Sequence, residues 1–459
     1  MYLTMDHPAA RIDGYLALMD PGLADELTSI ANDLRDLKFI HINSTATGGG
    51  VAEILQSMVP LMNSLGLTTE RIVIEGNPKF FEVTKRIHNL LQGAEGSLSK
   101  EEFQTYLDTN QAVADDFVRR GLAAEVWFFH DPQVLPLSGM FPGAASQIRN
   151  WICHIDLTSP NPSTIDSLLP MTQNYDSLIF SLDSYIPKGL GETPVHIAPP
   201  AIDPLTEKNT PLTESQALET VAAMGIDPAR PLITQVSRFD LWKDPLGVVD
   251  AYRMARKHIP GLQLALLGLS QATDDPESLV VLHQVEDYAA GDPDIHLYFY
   301  TEGLNYSIDH LVNAFQAASK VVMQKSTREG FGLTVTEAMW KGKAVIGGNV
   351  GGIRVQIENG VNGYLVDSPE ECAGRIVQII QDPALSQRLG QVAHDSVRQR
   401  FLLPRLTLDY LRTVKERMEG PQGNGVAHGV HVNGNRNRNH NGDRSLTHDL
   451  SSQGLEAKA

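Results

Sequence analysis

Two stretches of this chain follow one order: an apolar strand, a glycine-rich loop, then a helix. The first runs through Leu37-Lys-Phe-Ile-His-Ile-Asn43, a loop ending in Gly48-Gly49-Gly50, and helical sequence from Val51 to Leu65. The second runs through the apolar strand Lys320 to Lys325, the loop Glu329-Gly-Phe-Gly332, and helical periodicity from Leu333 to Trp340. Parallel strands need crossover connections, usually helices, so a chain that repeats this order is committed to layered α/β architecture. Further short strands are predicted at Arg71 to Glu75, Val126 to His130, Trp151 to Ile155, Ser177 to Ser181 and Val195 to Ile197. A second series begins at Pro231 to Ser237, followed by a helix over Pro245 to His258. It continues at Leu264 to Leu267, Ile295 to Tyr298, Val321 to Gln324, Ala344 to Gly347 and Tyr364 to Val366.

At 459 residues the chain is too long for one core. It reads as two Rossmann-like, doubly wound α/β domains with a boundary near Pro199 to Pro204. A net charge of −18 excludes a nucleic-acid surface, so an anionic ligand must be held by a few placed cations. Two cysteines, Cys153 and Cys372, give neither a metal-cluster spacing nor a disulfide framework. They read as buried thiols in a reducing interior. Met1 to Arg11 has no apolar segment behind a basic start, and no apolar run is long enough for a bilayer. The expectation is a cytoplasmic protein with no membrane partner.

Glu329-Gly-Phe-Gly-Leu-Thr-Val-Thr-Glu337 sets one carboxylate in the loop and a second in the first turns of the helix. Backbone N–H groups around Gly330, Phe331, Gly332 and Leu333 would form a positive helix terminus suited to a diphosphate. Glu329 and Glu337 could accept from sugar and ribose hydroxyls. A loop-to-helix junction with an N-terminal carboxylate is the plainer reading of the spacing alone. After the helix come Ala344 to Gly348, the pair Gly351-Gly352, and Gly360-Val-Asn-Gly-Tyr-Leu-Val-Asp367. With that context the run resembles the donor-binding signature of retaining GT-B glycosyltransferases of family 4, the glycogen-synthase-like group. The fold this implies is GT-B: two such domains across a cleft, with the last helices crossing back. Arg400 to Glu419 is the candidate crossing segment.

Ser237-Arg-Phe-Asp-Leu-Trp-Lys-Asp-Pro245 places Arg238 and Lys243 on the loop after the first strand of the second series. Two cations there can offset a diphosphate as leaving-group charge develops; an exposed pair on a βα loop is the alternative. The stretches Asn43-Ser-Thr-Ala-Thr-Gly-Gly-Gly-Val-Ala-Glu53, Trp151-Ile-Cys-His-Ile-Asp-Leu-Thr-Ser-Pro-Asn161 and Gln324-Lys-Ser-Thr-Arg-Glu-Gly-Phe-Gly-Leu333 are similar to the trehalose glycosyltransferring synthases. That resemblance spans roughly residues 37 to 415. Gln324-Lys-Ser stands where many members of the broader family carry a proline-serine pair.

The resemblance implies a role for each matching residue. Glu329 would face the donor glucose, Glu337 the ribose, and Arg238 with Lys243 the diphosphate. His154 would lie near the reacting sugar, and Gly49 and Gly50 would allow close approach of phosphate or acceptor. His130, Asp131 and Asp156 would supply polar groups for the acceptor; a hydrogen-bonded structural imidazole is the alternative for His130 and for His154. His154, Arg238, Lys243 and Glu329 are thus the catalytic candidates. The implied division is an acceptor-binding domain over 1–200, a nucleotide-sugar domain over 201–400, a crossover helix over 401–419 and a disordered tail over 420–459.

The implied reaction moves glucose from an NDP-glucose to free glucose, forming α,α-trehalose and NDP with retention. A phosphate-dependent trehalose phosphorylase and a non-catalytic sugar-nucleotide binder are the alternatives. No cofactor or metal is expected. Asp292-Pro-Asp294 reads as a turn, and His428, His431 and His440 as solvated tail residues. The association state is left open, a homodimer included.

Overall fold

The computed structural model of the chain describes residues 2–5, 12–47, 49–142, 147–268, 276–300 and 303–420. Gly48 and the predicted tail beyond Gly420, with His428, His431 and His440, lie outside them. In chain order the strands are β1 Tyr2–Met5, β2 Lys38–Asn43, β3 Thr68–Ile74, β4 Val126–His130, β5 Ile148–Cys153, β6 Ser177–Phe180 and β7 Val195–Ile197. They are followed by β8 Leu232–Val236, β9 Gln263–Leu267, β10 Ile295–Tyr298, β11 Val321–Gln324, β12 Val345–Gly348 and β13 Tyr364–Val366.

The first seven strands form one sheet in the order β1-β3-β2-β4-β5-β6-β7, and the other six form a second in the order β10-β9-β8-β11-β12-β13. Every pairing in the second sheet is parallel. In the first sheet only β1, which the sequence reading did not anticipate, runs antiparallel, against β3. Each sheet reverses its strand order where it turns outward, beside β2 and β8. Open α/β sheets bind ligands outside the strand ends at such switch points.

The helices start where the sequence supplies caps. Asn77 accepts from Phe80 N at 2.8 Å ahead of Pro78, and Ser99 with Glu102 forms a reciprocal capping box. Among the helices without a side-chain cap, two start behind a glycine with positive φ. Gly50–Ser64 and Leu333–Trp340 begin behind Gly49 and Gly332, at φ 97° and 84°, with no side-chain cap. Left-handed backbone is where glycine is needed, and the first-turn N–H groups of both helices are left for something else.

The chain passes between the sheets twice, and the two crossings run side by side. Ile202 N donates to Phe401 O at 2.9 Å, and Leu403 N donates to Ile202 O at 2.9 Å. That bridge breaks the predicted Arg400-to-Glu419 helix: Pro383–Arg400 ends before it and Leu403–Glu419 begins after it. The last helix packs on Pro21–Asp33 and Gly50–Ser64. Leu403, Leu406, Tyr410, Leu411 and Val414 are buried there with Leu27, Ile54, Met58 and Phe128. The C-terminal helix therefore completes the core of the first sheet. Among the described residues no helix is long and apolar enough to cross a membrane.

Candidate functional site

The loop after β11 is held from below by residues that leave its upper edge open. Gln356, fully buried, donates to Phe331 O at 2.6 Å and accepts from Thr336 Oγ1 at 2.6 Å. Gly351 and Gly352 press against the same loop. A Cβ on Gly351 would lie 1.8 Å from Glu329 O, and one on Gly352 would lie 2.4 Å from Phe331 Cα. The Phe331 ring packs edge-on against Phe401 in the core, so only its backbone is available to a ligand.

Glu329 stands at the head of this loop, 11% exposed. Its Oε2 accepts from Lys243 Nζ at 2.6 Å and Ser326 Oγ at 3.2 Å, and a longer contact comes from Gln324 Nε2 at 3.4 Å. Lys243 and Glu329, expected on the diphosphate and on the donor glucose, therefore form a direct ion pair. Gln324 is bound into this network and also accepts from Thr334 Oγ1 at 3.1 Å. The loop carrying Lys243 is pinned to the Glu329 loop. Thr327 N donates to Trp242 O at 2.8 Å, Arg328 lies over the Trp242 ring at 4.4 Å, and Gln235 holds Lys243 O at 2.9 Å. Asp244 sits at φ 48° and caps the next helix through Gly247 N while it pairs with Lys325.

Arg238 is not drawn into that pair. It is 62% exposed, with Asp240 at 3.7 Å. Its charge reaches His88 on the helix Pro78–Leu91 of the first half, where burial chiefly, and Arg238 in addition, hold the imidazole below its usual range.

Glu337 is 2% exposed, and its Oε2 has no hydrogen-bond partner in the protein. Lys208 approaches its Oε1 at 3.7 Å while it bonds Glu53 Oε1 at 2.5 Å, so one lysine ties the helix after Gly49-Gly50 to the helix after Gly332. Burial, then the charge of Glu337, pushes the Glu53 carboxyl up. The two glycine-led helices meet here: a Cβ on Gly50 would lie 3.3 Å from Leu333 Cδ1. Gly49 itself has open space around it.

Facing the Glu329 loop are the strand ends of the first sheet. His154 O lies 3.3 Å from the position a Gly330 Cβ would take. Tyr185, fully buried, donates its hydroxyl to Gly330 O at 2.6 Å. Asp131 accepts from His154 N at 2.8 Å through Oδ1. Asp131 holds φ 67° and ψ 169°, a region that costs about 1–3 kcal/mol outside glycine and is concentrated at functional sites. Asp156 Oδ1 is occupied by Thr158 N at 2.9 Å and Thr158 Oγ1 at 2.6 Å.

His130 requires a correction. It is 1% exposed and both ring nitrogens are taken, by His41 at 3.0 Å and His154 at 3.3 Å. It has no atom for an acceptor sugar and stands behind His154. Tyr185, Lys208, Gln356 and His41 were missed by sequence reasoning, for which each was one polar residue without a local pattern.

Asp292 and Asp294 occupy a turn, with Asp294 N on Asp292 Oδ1 at 3.1 Å and with Arg256 and Arg230 as their ion-pair partners. Among the described residues no group of three or more His, Cys, Asp or Glu is placed to hold a metal ion. Both cysteines are buried and free.

Known proteins resemble the chain in sequence and in fold. Residues 41–187 match the family described as "Trehalose synthase, N-terminal domain", and residues 219–395 match "Glycosyl transferases group 1". The trehalose synthase of Rubrobacter xylanophilus is 42% identical over 400 residues, covering 87% of this chain and 95% of that one. The trehalose synthase of Thermococcus litoralis is 39% identical over 402 residues, covering 87% and 96%. The trehalose phosphorylase of Grifola frondosa is 28% identical over 441 residues, covering 84% of this chain and 58% of that one. Among solved structures, a sucrose-phosphate synthase from Thermosynechococcus elongatus superposes with a TM-score of 0.64 at 16% identity, covering 84% and 100%. A trehalose-6-phosphate synthase gives 0.65 at 13%, covering 84% and 99%. With two parallel-stranded sheets, a C-terminal helix returning to the first, and these relatives, the chain belongs to the trehalose synthase family, hexosyltransferases of glycosyltransferase group 1 with the GT-B fold.

Proposed function

We propose that the chain transfers glucose from an NDP-glucose to the anomeric hydroxyl of free glucose, giving α,α-trehalose and NDP with retention at the donor carbon. The observation that carries this reading is the Lys243–Glu329 pair at 2.6 Å beside the uncapped start of the helix Leu333–Trp340. The terminus and Lys243 offer positive charge to a diphosphate, and the free edge of Glu329 can accept from glucose hydroxyls. In glycosyl transfer, negative charge grows on the leaving phosphate while the sugar becomes oxocarbenium-like. Cations already in place stabilise that change without reorganising. Residues 1–200 would hold the acceptor and residues 201–400 the nucleotide sugar, with Arg238 at the rim on the diphosphate. The leaving phosphate can take the acceptor proton, so the protein supplies orientation and charge.

A trehalose phosphorylase would use the same glucose-facing groups with inorganic phosphate in place of the diphosphate. The likeness to the Grifola frondosa enzyme favours keeping that reading in view. The buried, unpartnered Oε2 of Glu337 favours the nucleotide, because a ribose hydroxyl would satisfy it and a free phosphate would not. No metal is assigned to the reaction, since Lys243 and Arg238 supply its positive charge.

The test follows NDP release from UDP-, ADP- and GDP-glucose with and without glucose, each in EDTA and in magnesium. Glucose-dependent release with at least one donor, undiminished by EDTA, is expected. Trehalose cleavage by phosphate to glucose 1-phosphate, with no NDP release from any donor, would give the phosphorylase reading instead.

A further inference from the structure

Three imidazoles run in line from the core of the first sheet to its ligand-facing edge. His41 Nδ1 lies 3.0 Å from His130 Nε2, and His130 Nδ1 lies 3.3 Å from His154 Nε2. Their rings are nearly parallel, with interplanar angles of 28° and 4°. Phe128 and Tyr410 stack on the buried end, the second contributed by the C-terminal helix. Burial first, then neighbouring positive or imidazole charge, pushes His41 down to about 3 and His130 well below its usual range; burial also lowers His154. All three rings are therefore neutral near pH 7.

A neutral imidazole has one N–H donor and one bare acceptor nitrogen. Two hydrogen bonds among three such rings allow only two arrangements. In one, His41 Nδ1–H donates to His130, His130 Nδ1–H donates to His154 Nε2, and His154 Nδ1 carries the remaining proton. In the other every bond is reversed, His154 Nδ1 is bare, and a proton sits on His41 Nε2.

His41 Nε2 is buried without a hydrogen-bond partner. His41 stands in register with Arg71 on β3, a fully buried guanidinium whose charge already acts on the His41 ring. The order β3-β2-β4 puts Arg71 on the far side of His41 from His130, and a cation on that side favours a bare nitrogen lone pair over an N–H dipole pointing its positive end the same way. Arg71 is fixed in place by Asn43 Oδ1 at 3.1 Å and Thr45 O at 2.8 Å.

We propose that His41 and His130 are positioning residues, oriented by Arg71, that fix His154 as the tautomer with a protonated Nδ1. His154 then meets the sugar as a hydrogen-bond donor and not as a base. Its backbone is anchored separately through Asp131. This inference rests on the proposed transfer reaction only for its consequence; the tautomer itself is independent of which reaction the protein performs.

The test is heteronuclear NMR of the full chain labelled with 15N-histidine at pH 7.5, with His154 assigned by difference from His154→Gln. A protonated δ nitrogen and bare ε nitrogen at His154 are expected, and a bare δ nitrogen would overturn the proposal. His41→Phe keeps the aromatic stack and removes the first donor. It should turn His154 into a mixture of tautomers and lower kcat by about ten- to hundredfold, with KM for the sugar nucleotide within about twofold. His41→Asn, which can still donate to His130, should restore the single tautomer and most of kcat. An unchanged His154 tautomer in His41→Phe would also overturn it. If His41→Phe fails to fold, the wild-type spectrum and His41→Asn still decide. The correct tautomer in a protein that transfers no glucose would sink the reaction and leave the relay standing.

Discussion

At the scale of single residues, the candidate site is a set of charges held in place by the fold. Lys243 and Glu329 are 17% and 11% exposed, so neither is held as loosely as a surface pair. Each alone should matter through the other. Lys243→Ala and Glu329→Gln are each expected to lower kcat/KM by about a hundredfold, and the double variant by much less than the product, since the groups are in contact. Steady-state kinetics on the four proteins checks this; full additivity would mean that the pair does not act as a unit. Glu329 was legible as a carboxylate in a glycine-rich loop, and Lys243 as a cation on the loop after the first strand of the second series. Tyr185 was not, because its partner Gly330 O lies 145 positions away, and Lys208 was not, because Glu53 and Glu337 meet only when the chain has folded. His130 was legible as a strand-end histidine but misassigned. Its burial between two other imidazoles depends on β2 and β5 lying on either side of β4.

At the scale of elements, the account depends on glycines that let two loops touch. Gly351 sits at φ 42°, and a methyl there would meet Glu329 O at 1.8 Å. Gly351→Ala should therefore push the Glu329 loop off its seat. A loss of about 2 kcal/mol or more is expected, with a larger relative loss in sugar-nucleotide affinity. Urea denaturation and donor titration measure the two. Unchanged stability and affinity would show that the loop has other places to rest. Most elements were readable because apolar strands alternate with capped helices. The errors have local causes. β5 begins at Ile148, three residues before the predicted Trp151, because Asn150 is buried with its amide on Trp127 O at 3.2 Å and Arg149 N on Asp176 Oδ2 at 2.9 Å. Polar residues buried inside a sheet are invisible to a hydrophobic pattern. β1 is four residues long and owes its place to antiparallel pairing with β3.

At the scale of the whole molecule, the returning C-terminal helix joins stability to the site, since Tyr410 covers the histidine line that ends at His154. That line should make the protein acid-sensitive. The folded-state pKa of His41, about 3, lies below its unfolded value near 6.5. Below pH 6.5 the unfolded chain then binds a proton that the folded chain refuses. Stability is fully present above pH 6.5 and is lost as pH falls toward 3, at about 1.4 kcal/mol per pH unit for such a group. Thermal melts from pH 7.5 to 4.5 should show a shallower loss for His41→Phe than for wild type, and equal slopes would mean His41 is not held neutral. The central claim, transfer between two sugars, is tested most directly with sugar nucleotides labelled with 13C at the anomeric carbon. Each is incubated with unlabelled glucose and followed by NMR. The account predicts that label appears at an α-anomeric carbon of a nonreducing disaccharide, in step with NDP; label recovered only as free glucose, or left in every donor, would contradict it.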